Sequence, residues 1–379
     1  MSQFENPFPL MYNGPEYFCD RKDELKELKS YLRNGHNVVL SAPRRIGKSG
    51  LIHRLFDEKD IQDEFNCIYV DVFATKSLKE FALTLVTQYL EQSSKPVHHL
   101  ARYAASFLKA IRLDPADPNN ISIGDIKSPE VTVEQMFRYL RELRKPTVLA
   151  IDEFQQVASY QDASAEAFLR TQVQQSPNIR MIFAGSEQSL LSEIFSSYKR
   201  PFAMSSTFFE LSPLNREVYC RFAQEKFEIH GRHLPQEVFF KLYDDMEGTT
   251  WFVQDVLNFL FTNSGPGQTL NREELKRTLE RIIKNNEKTY IRQSDALHQS
   301  EFELLGAIAR EKVAENIRSN EFLEKYGLSA KSVAADEAKL IKEKLVWKDC
   351  PAVGIRQWRL CDYFMAEWLR RSFSNVSGV

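Results

Sequence analysis

Glycine is scarce in this chain: 14 of 379 residues, about 4% against a typical value of roughly 7%. Few segments can therefore bring backbone close to a phosphate, so the places where glycine is kept carry information. The five cysteines, Cys19, Cys67, Cys220, Cys350 and Cys361, include no pair at a metal-ligand spacing. A chain of this length needs no disulfide framework, so reduced, buried or incidental thiols are expected. No charge of one sign dominates: 50 Lys and Arg against 52 Asp and Glu give a net charge of −2. That balance argues against a protein built mainly to coat nucleic acid or an anionic membrane. Long apolar runs are missing too, and the N-terminus shows no basic region followed by an apolar core. The expectation is a cytoplasmic chain with no membrane segment and no secretory leader. What remains is ordinary globular composition, 43% hydrophobic and 27% charged, with length for two or three domains.

Short apolar strands alternate with helical patterns up to residue 211. Strands are predicted over 37–42, 67–72, 147–151, 179–184 and 207–211, and amphipathic helices over 21–32, 49–56, 77–90 and 133–143. Alternation of this kind predicts a parallel sheet covered by helices on both faces. Residues 111–124 break the pattern and read as an inserted hairpin, with Pro115 and Pro118 between two short alternating runs. Past residue 212 the strands stop. The domain expectation is a core over 1–212, a helical region over 213–293 and a further module over 294–379.

The strongest local feature is Ala42-Pro43-Arg44-Arg45-Ile46-Gly47-Lys48-Ser49. It fits G-x-x-x-x-G-K-[ST] with Ala42 at the first glycine position, and a strand enters it while a helix leaves it. In such a loop the backbone N–H groups and the helix N-terminus face phosphates. Ala42 to Gly50 is therefore the expected ATP-binding run, Lys48 reaching the β- and γ-phosphates and Ser49 offering its hydroxyl to Mg2+. Val148-Leu149-Ala150-Ile151-Asp152-Glu153 reads as a buried strand ending in two acids. Asp152 is expected to hold Mg2+ through water and Glu153 to polarise the attacking water. The next strand ends in Ala184-Gly185-Ser186. Ser186 has two readings: a polar contact to the γ-phosphate or attacking water, or an N-cap for the helix that follows.

Together these residues resemble the AAA+ and STAND-related P-loop ATPases, most closely the archaeal-type ATPase family. The resemblance is carried by Tyr17 to Leu25, Ala42 to Ser49, Ala150 to Gln155, Phe183 to Ser186 and Tyr198 to Phe202. It implies an α/β core with strand order 5-1-4-3-2, then an all-α lid and often a winged helix. It also implies that Phe18 and Arg21 lie by the adenine, and that Arg200 looks like a finger acting in trans on a neighbouring subunit. A solvated surface arginine is the other reading of Arg200. One departure stands out. Many relatives carry an arginine on a lid helix, or a Gly-x-Pro turn, yet residues 248–262 hold no Arg or Lys and Thr250 replaces the proline.

The last region reads as three helices, a hairpin and a final helix, an order that resembles a winged helix-turn-helix. Its third helix, predicted over 329–344, offers Lys331, Ser332, Lys339 and Lys342. Yet residues 288–379 hold 15 basic and 13 acidic residues with no basic stripe, a weak footprint for DNA. A DNA contact and a protein contact both stay open there. Trp358, Tyr363, Phe364 and Trp368 read as core rather than as a stacking platform. The function expected is a slow Mg-ATP hydrolase acting as a nucleotide-dependent switch. The alternatives are a nucleotide-regulated DNA-binding protein and a partner-binding scaffold.

Overall fold

The computed structural model describes residues 6–92, 111–113, 121–123, 128–162, 164–352 and 355–376. The chain falls into two compact units. One is Pro9–Tyr219; the other is Cys220–Val379 joined by the N-terminal residues through Phe8.

The first unit is built on a five-stranded sheet of β1 (Val38–Ser41), β2 (Asn66–Asp71), β5 (Thr147–Asp152), β6 (Ile179–Gly185) and β7 (Thr207–Glu210). The strands lie in the order β2-β5-β6-β1-β7, all parallel. Counted along the sheet's own strands this is 2-3-4-1-5, the order that the resemblance implied, read from the other edge. β3 (Ile111–Leu113) and β4 (Ile121–Ile123) pair antiparallel as the expected hairpin. Pro115 and Pro118 lie outside the described residues.

Strand residues alternate between the two faces. Val38, Leu40, Val148, Ala150, Ile182 and Ala184 join one core with α1 (Lys22–Arg33), α2 (Lys48–Phe56) and α3 (Lys59–Glu64). Val39, Leu149, Ile151, Met181 and Phe183 join the other, with α4 (Leu78–Gln92), α5 (Pro129–Arg141), α6 (Ala165–Gln174) and α7 (Gln188–Ser196). Within the second core Phe154, Phe183, Phe195 and Phe202 pack tilted or edge-on against one another, with centroids 4.6 to 5.7 Å apart. Burial of each such ring contributes roughly 2–3 kcal/mol. The cluster stands where β5 and β6 end, so it braces the edge that carries Asp152, Glu153 and Ser186. β2 is an edge strand, and α4 covers its open side with amides. Gln92 accepts from Tyr69 N at 2.9 Å and donates to Tyr69 O at 2.7 Å, while Gln88 accepts from Asp71 N at 2.8 Å.

α8 (Arg216–Ile229) crosses from the first unit into the second at Cys220, and α9 (Gln236–Asp245), α10 (Thr250–Thr262) and α11 (Arg272–Asp295) follow. Asn271 opens α11 with a reciprocal cap: its side chain accepts from the backbone of Glu273 and Glu274, and the Glu274 carboxylate accepts from Asn271 N. Phe8 is buried against Phe227 and Phe261, and Asn258 donates to its carbonyl at 2.8 Å. Then come α12 (Gln299–Glu311), β8 (Ala314–Glu315), α13 (Asn320–Tyr326), α14 (Val333–Lys342), β9 (Val346–Ala352), β10 (Ile355–Leu360) and α15 (Tyr363–Val376). The small sheet has the order β8-β10-β9. α14 is shorter than the predicted 329–344: residues 329–332 form turns instead, with the Ser332 and Val333 N–H groups both donating to Ser329 O. Of the four aromatics expected in the core, Trp358 and Phe364 are buried, while Tyr363 and Trp368 are only half-buried. Among the described residues no helix is long and apolar enough to cross a membrane. Cys19, Cys67, Cys220 and Cys361 are thiols, and the Cys350 side chain lies outside what is described.

Candidate nucleotide site

The loop from Ala42 to Gly47 leaves the buried end of β1 and turns into α2. Gly47 caps α2 with φ 105°, a backbone region that a residue with a Cβ adopts only with strain. Arg45 has φ 122°, so the loop holds a second residue in an unfavourable conformation, a kind of strain that clusters at functional sites. Lys48 is buried, and its Nζ donates to Ala42 O at 3.1 Å and Pro43 O at 3.4 Å. Burial pushes its pKa down, against the opposing pull of Glu153 and Asp152. Ala42 and Ile46 pack into the apolar core beneath the loop, and Pro43 and Arg44 are half-buried.

Ser49 and Asp152 meet across the sheet edge. Ser49 Oγ donates to Asp152 Oδ2 at 2.5 Å. Asp152 is buried at the end of β5, and its Oδ1 accepts from Glu153 N at 2.9 Å. Tyr69 OH also donates to Asp152 Oδ2, at 2.7 Å. Tyr69 lies on β2 in register with Ala150, so its side chain shares a face with Asp152. Two oxygen donors suit a hard cation that keeps most of its waters, as Mg2+ does beside phosphates. Among the described residues no group of three His, Cys, Asp or Glu forms a protein cage for a metal.

Glu153 turns out of the strand with φ 57°. Its Oε2 accepts from Ser186 Oγ at 3.1 Å and from Gln155 Nε2. Ser186 thus reaches the second acid rather than capping α7, whose N-cap is Glu187. Gln155 is buried, with its Oε1 lacking a hydrogen-bond partner. That atom passes over Gly185, where any Cβ would overlap it. A side chain at Gly185 would have to displace the amide that donates to Glu153.

Phe18 comes close to the loop helix: its ring lies 3.7 Å from the position a Cβ on Gly50 would take. Arg21 is buried at the start of α1 with φ 65°. Its Nη1 donates to Glu24 at 2.7 Å, and its Nη2 is buried without a partner. Arg200 makes its ion pairs with Glu166 of α6 at 3.4 Å and Glu193 of α7 at 3.5 Å. The structure therefore brings Lys48, Ser49, Asp152, Glu153 and Ser186 together, while Arg200 is engaged elsewhere. Sequence reading gave no role to Tyr69 or Gln155. Tyr69 is one residue of an apolar strand 83 positions from its carboxylate partner; the spacing of Gln155, two after Glu153, was the one local signal.

A strand, a phosphate loop and a helix, facing a buried strand that ends in two acids, define a P-loop nucleotide-binding core. Residues 18–256 match the family described as an ATPase domain predominantly from Archaea, and the chain belongs to that family. Residues 288–371 match a probable winged helix domain. A comparison with curated proteins gives no match. Among solved structures, the Walker-type ATPase PABY2304 of Pyrococcus abyssi aligns with TM-score 0.67 at 19% identity, over 96% of this chain and 99% of that one. The Aeropyrum pernix ORC2 protein, solved as ADPNP–ADP complexes, aligns with TM-score 0.60 at 14% identity, over 99% and 98%. The Aeropyrum pernix ORC1 protein, solved with DNA, aligns with TM-score 0.52 at 14% identity, over 96% of each chain. These likenesses bear out the fold: a P-loop core, a helical region and a winged helix.

Proposed function

We propose that the chain binds Mg-ATP at the Ala42–Gly50 loop and hydrolyses it slowly to ADP and phosphate. The observation that carries this reading is the convergence of Ser49, Asp152, Glu153 and Ser186 beside the loop. Lys48 rests on two neutral carbonyls, and a phosphate, as a charged acceptor, makes the stronger partner. Mg2+, held by Ser49 and Asp152, supplies charge neutralisation at the phosphates. Glu153 orients and polarises the attacking water, and Ser186 and Gln155 fix its carboxylate. Phe18 and Arg21 contact the base side, where the orphaned Nη2 of Arg21 offers a donor.

In this reading residues 9–212 form the ATPase core, with Phe8 packed in the second unit instead, 213–293 the lid and 294–379 the winged-helix module, and the nucleotide state acts as a switch on the latter two. Arg200 serves in trans only by leaving Glu166 and Glu193, which makes self-association conditional. The test is a pair of variants. Lys48→Ala is expected to abolish ATP binding in a filter or fluorescence assay. Glu153→Gln is expected to keep ATP bound while turnover falls at least a hundredfold, the scale of losing a positioned general base. Parent-like hydrolysis by both variants would sink the enzyme reading.

A second reading, a nucleotide-regulated DNA-binding protein, is favoured by the likeness to the ORC1 structure solved with DNA. Against it, Lys339 is tied to Glu301 at 2.9 Å, and Arg318 and Lys348 are tied to Glu337.

A further inference from the structure

Asp152 accepts two hydrogen bonds on one oxygen. Ser49 Oγ and Tyr69 OH both donate to Oδ2, at 2.5 and 2.7 Å, while Oδ1 takes the Glu153 amide. We propose that Tyr69 is a positioning residue for the metal-side carboxylate, its hydroxyl holding Asp152 Oδ2 toward Ser49. The inference rests on the reading of Ser49 and Asp152 as the Mg2+ side of the site.

Tyr69 is itself held at three points. Gln92 pins its backbone N–H and C=O from α4. Its ring packs against His53 with centroids 4.4 Å apart. His53 stands on α2 four residues past Ser49, one turn along the same helix face. The ring therefore bridges the strand to the very helix that carries Ser49. A phenyl ring would fill this space equally well. The hydroxyl is what the packing does not require, and Asp152 is the partner that compensates its desolvation. Partners of this outer kind orient metal ligands, and their loss typically costs about 10–100-fold in metal affinity.

The test uses the full-length chain and its Tyr69→Phe variant. Mn2+ binding in the presence of ADP is followed by electron paramagnetic resonance, and ADP affinity is measured separately in EDTA. The expected result is a roughly tenfold weaker Mn2+ midpoint in Tyr69→Phe, with ADP affinity in EDTA unchanged. An unchanged Mn2+ midpoint overturns the proposal. Parallel loss of Mn2+ and EDTA-resistant ADP binding also overturns it, because Tyr69 then supports the loop's fold rather than the carboxylate. Asp152→Asn separates the two levels. If that variant binds Mn2+ as the parent does, the reading of the metal side fails and this inference falls with it. If Asp152→Asn loses Mn2+ while Tyr69→Phe does not, only the role of Tyr69 fails.

Discussion

Asp255 lies on α10 with 8% of its surface exposed. Burial, and then the like charge of Asp362, push its carboxyl up to about 6. An unfolded aspartate titrates near 3.9, so the folded chain holds this proton more tightly. Its contribution to stability is complete below about pH 4 and is lost as pH rises through about 6. Asp255→Asn removes the ionised group and is expected to stabilise the protein by ~2 kcal/mol at pH 8, with little change at pH 4. Thermal unfolding at the two pH values checks this; equal shifts at both would show that the charge is not the cause. At the same scale, Gly185 and Gln155 show how a residue can bear on the site without touching substrate. The glycine makes room for an amide, and the amide holds the acid.

Among elements, α14 organises the winged-helix module through Glu337, which is 4% exposed. It gathers Arg318 from the segment before α13 at 2.6 Å, Lys348 from β9 at 2.9 Å and Trp358 from β10 at 3.0 Å. Burial works to raise its pKa, and the hydrogen bonds from Lys348, Arg318 and Trp358 outweigh burial and hold it below the usual carboxylate value. Its stabilisation is therefore present above the unfolded pKa and lost as pH falls through the lower folded one. Glu337→Gln is expected to cost about 2 kcal/mol near pH 7, less than the 3–5 of a fully buried broken pair, since Arg318 keeps 56% of its side chain in water. Chemical denaturation at pH 7 and below pH 4 measures it, and the deficit should shrink at the acid end.

Elements also show what a sequence can reveal. The phosphate loop and the acidic strand end were legible because their signals are consecutive residues. β1, β5 and β6 were legible as short apolar runs, though which residue lies on which face was not. Strand order was not, since periodicity does not say which strand lies beside which; it came with the resemblance. α3 left no signature because only Ile61 of its six residues is buried. The contacts of Tyr69 with Asp152 and of Gln155 with Glu153 depend on the folded sheet edge, and their residue types alone announce nothing.

At the scale of the whole molecule, 50 basic residues stand against 52 acidic ones, and among the described residues of the winged-helix module Lys339 is paired with Glu301 and Arg318 and Lys348 with Glu337. Duplex DNA is expected to stay unshifted by this chain at micromolar protein and about 150 mM salt, with or without ATP. A shift that weakens steeply with salt, as phosphate contacts do, and disappears on reversing the exposed Lys331 and Lys342 would establish the DNA-binding reading instead. The position of Phe8 has a consequence for how the chain is made. Its partners Phe227, Asn258 and Phe261 belong to helices far along the sequence, Asn258 standing 250 positions after Phe8. A ribosome adding about 5–20 residues per second takes roughly 12–50 s to cover that distance. For that interval Phe8 is an unsatisfied aromatic while the first unit is synthesised in full. The second unit cannot finish its core from a contiguous stretch of chain; it must recapture a segment that left the ribosome long before, which makes its closure a late, long-range step in biogenesis.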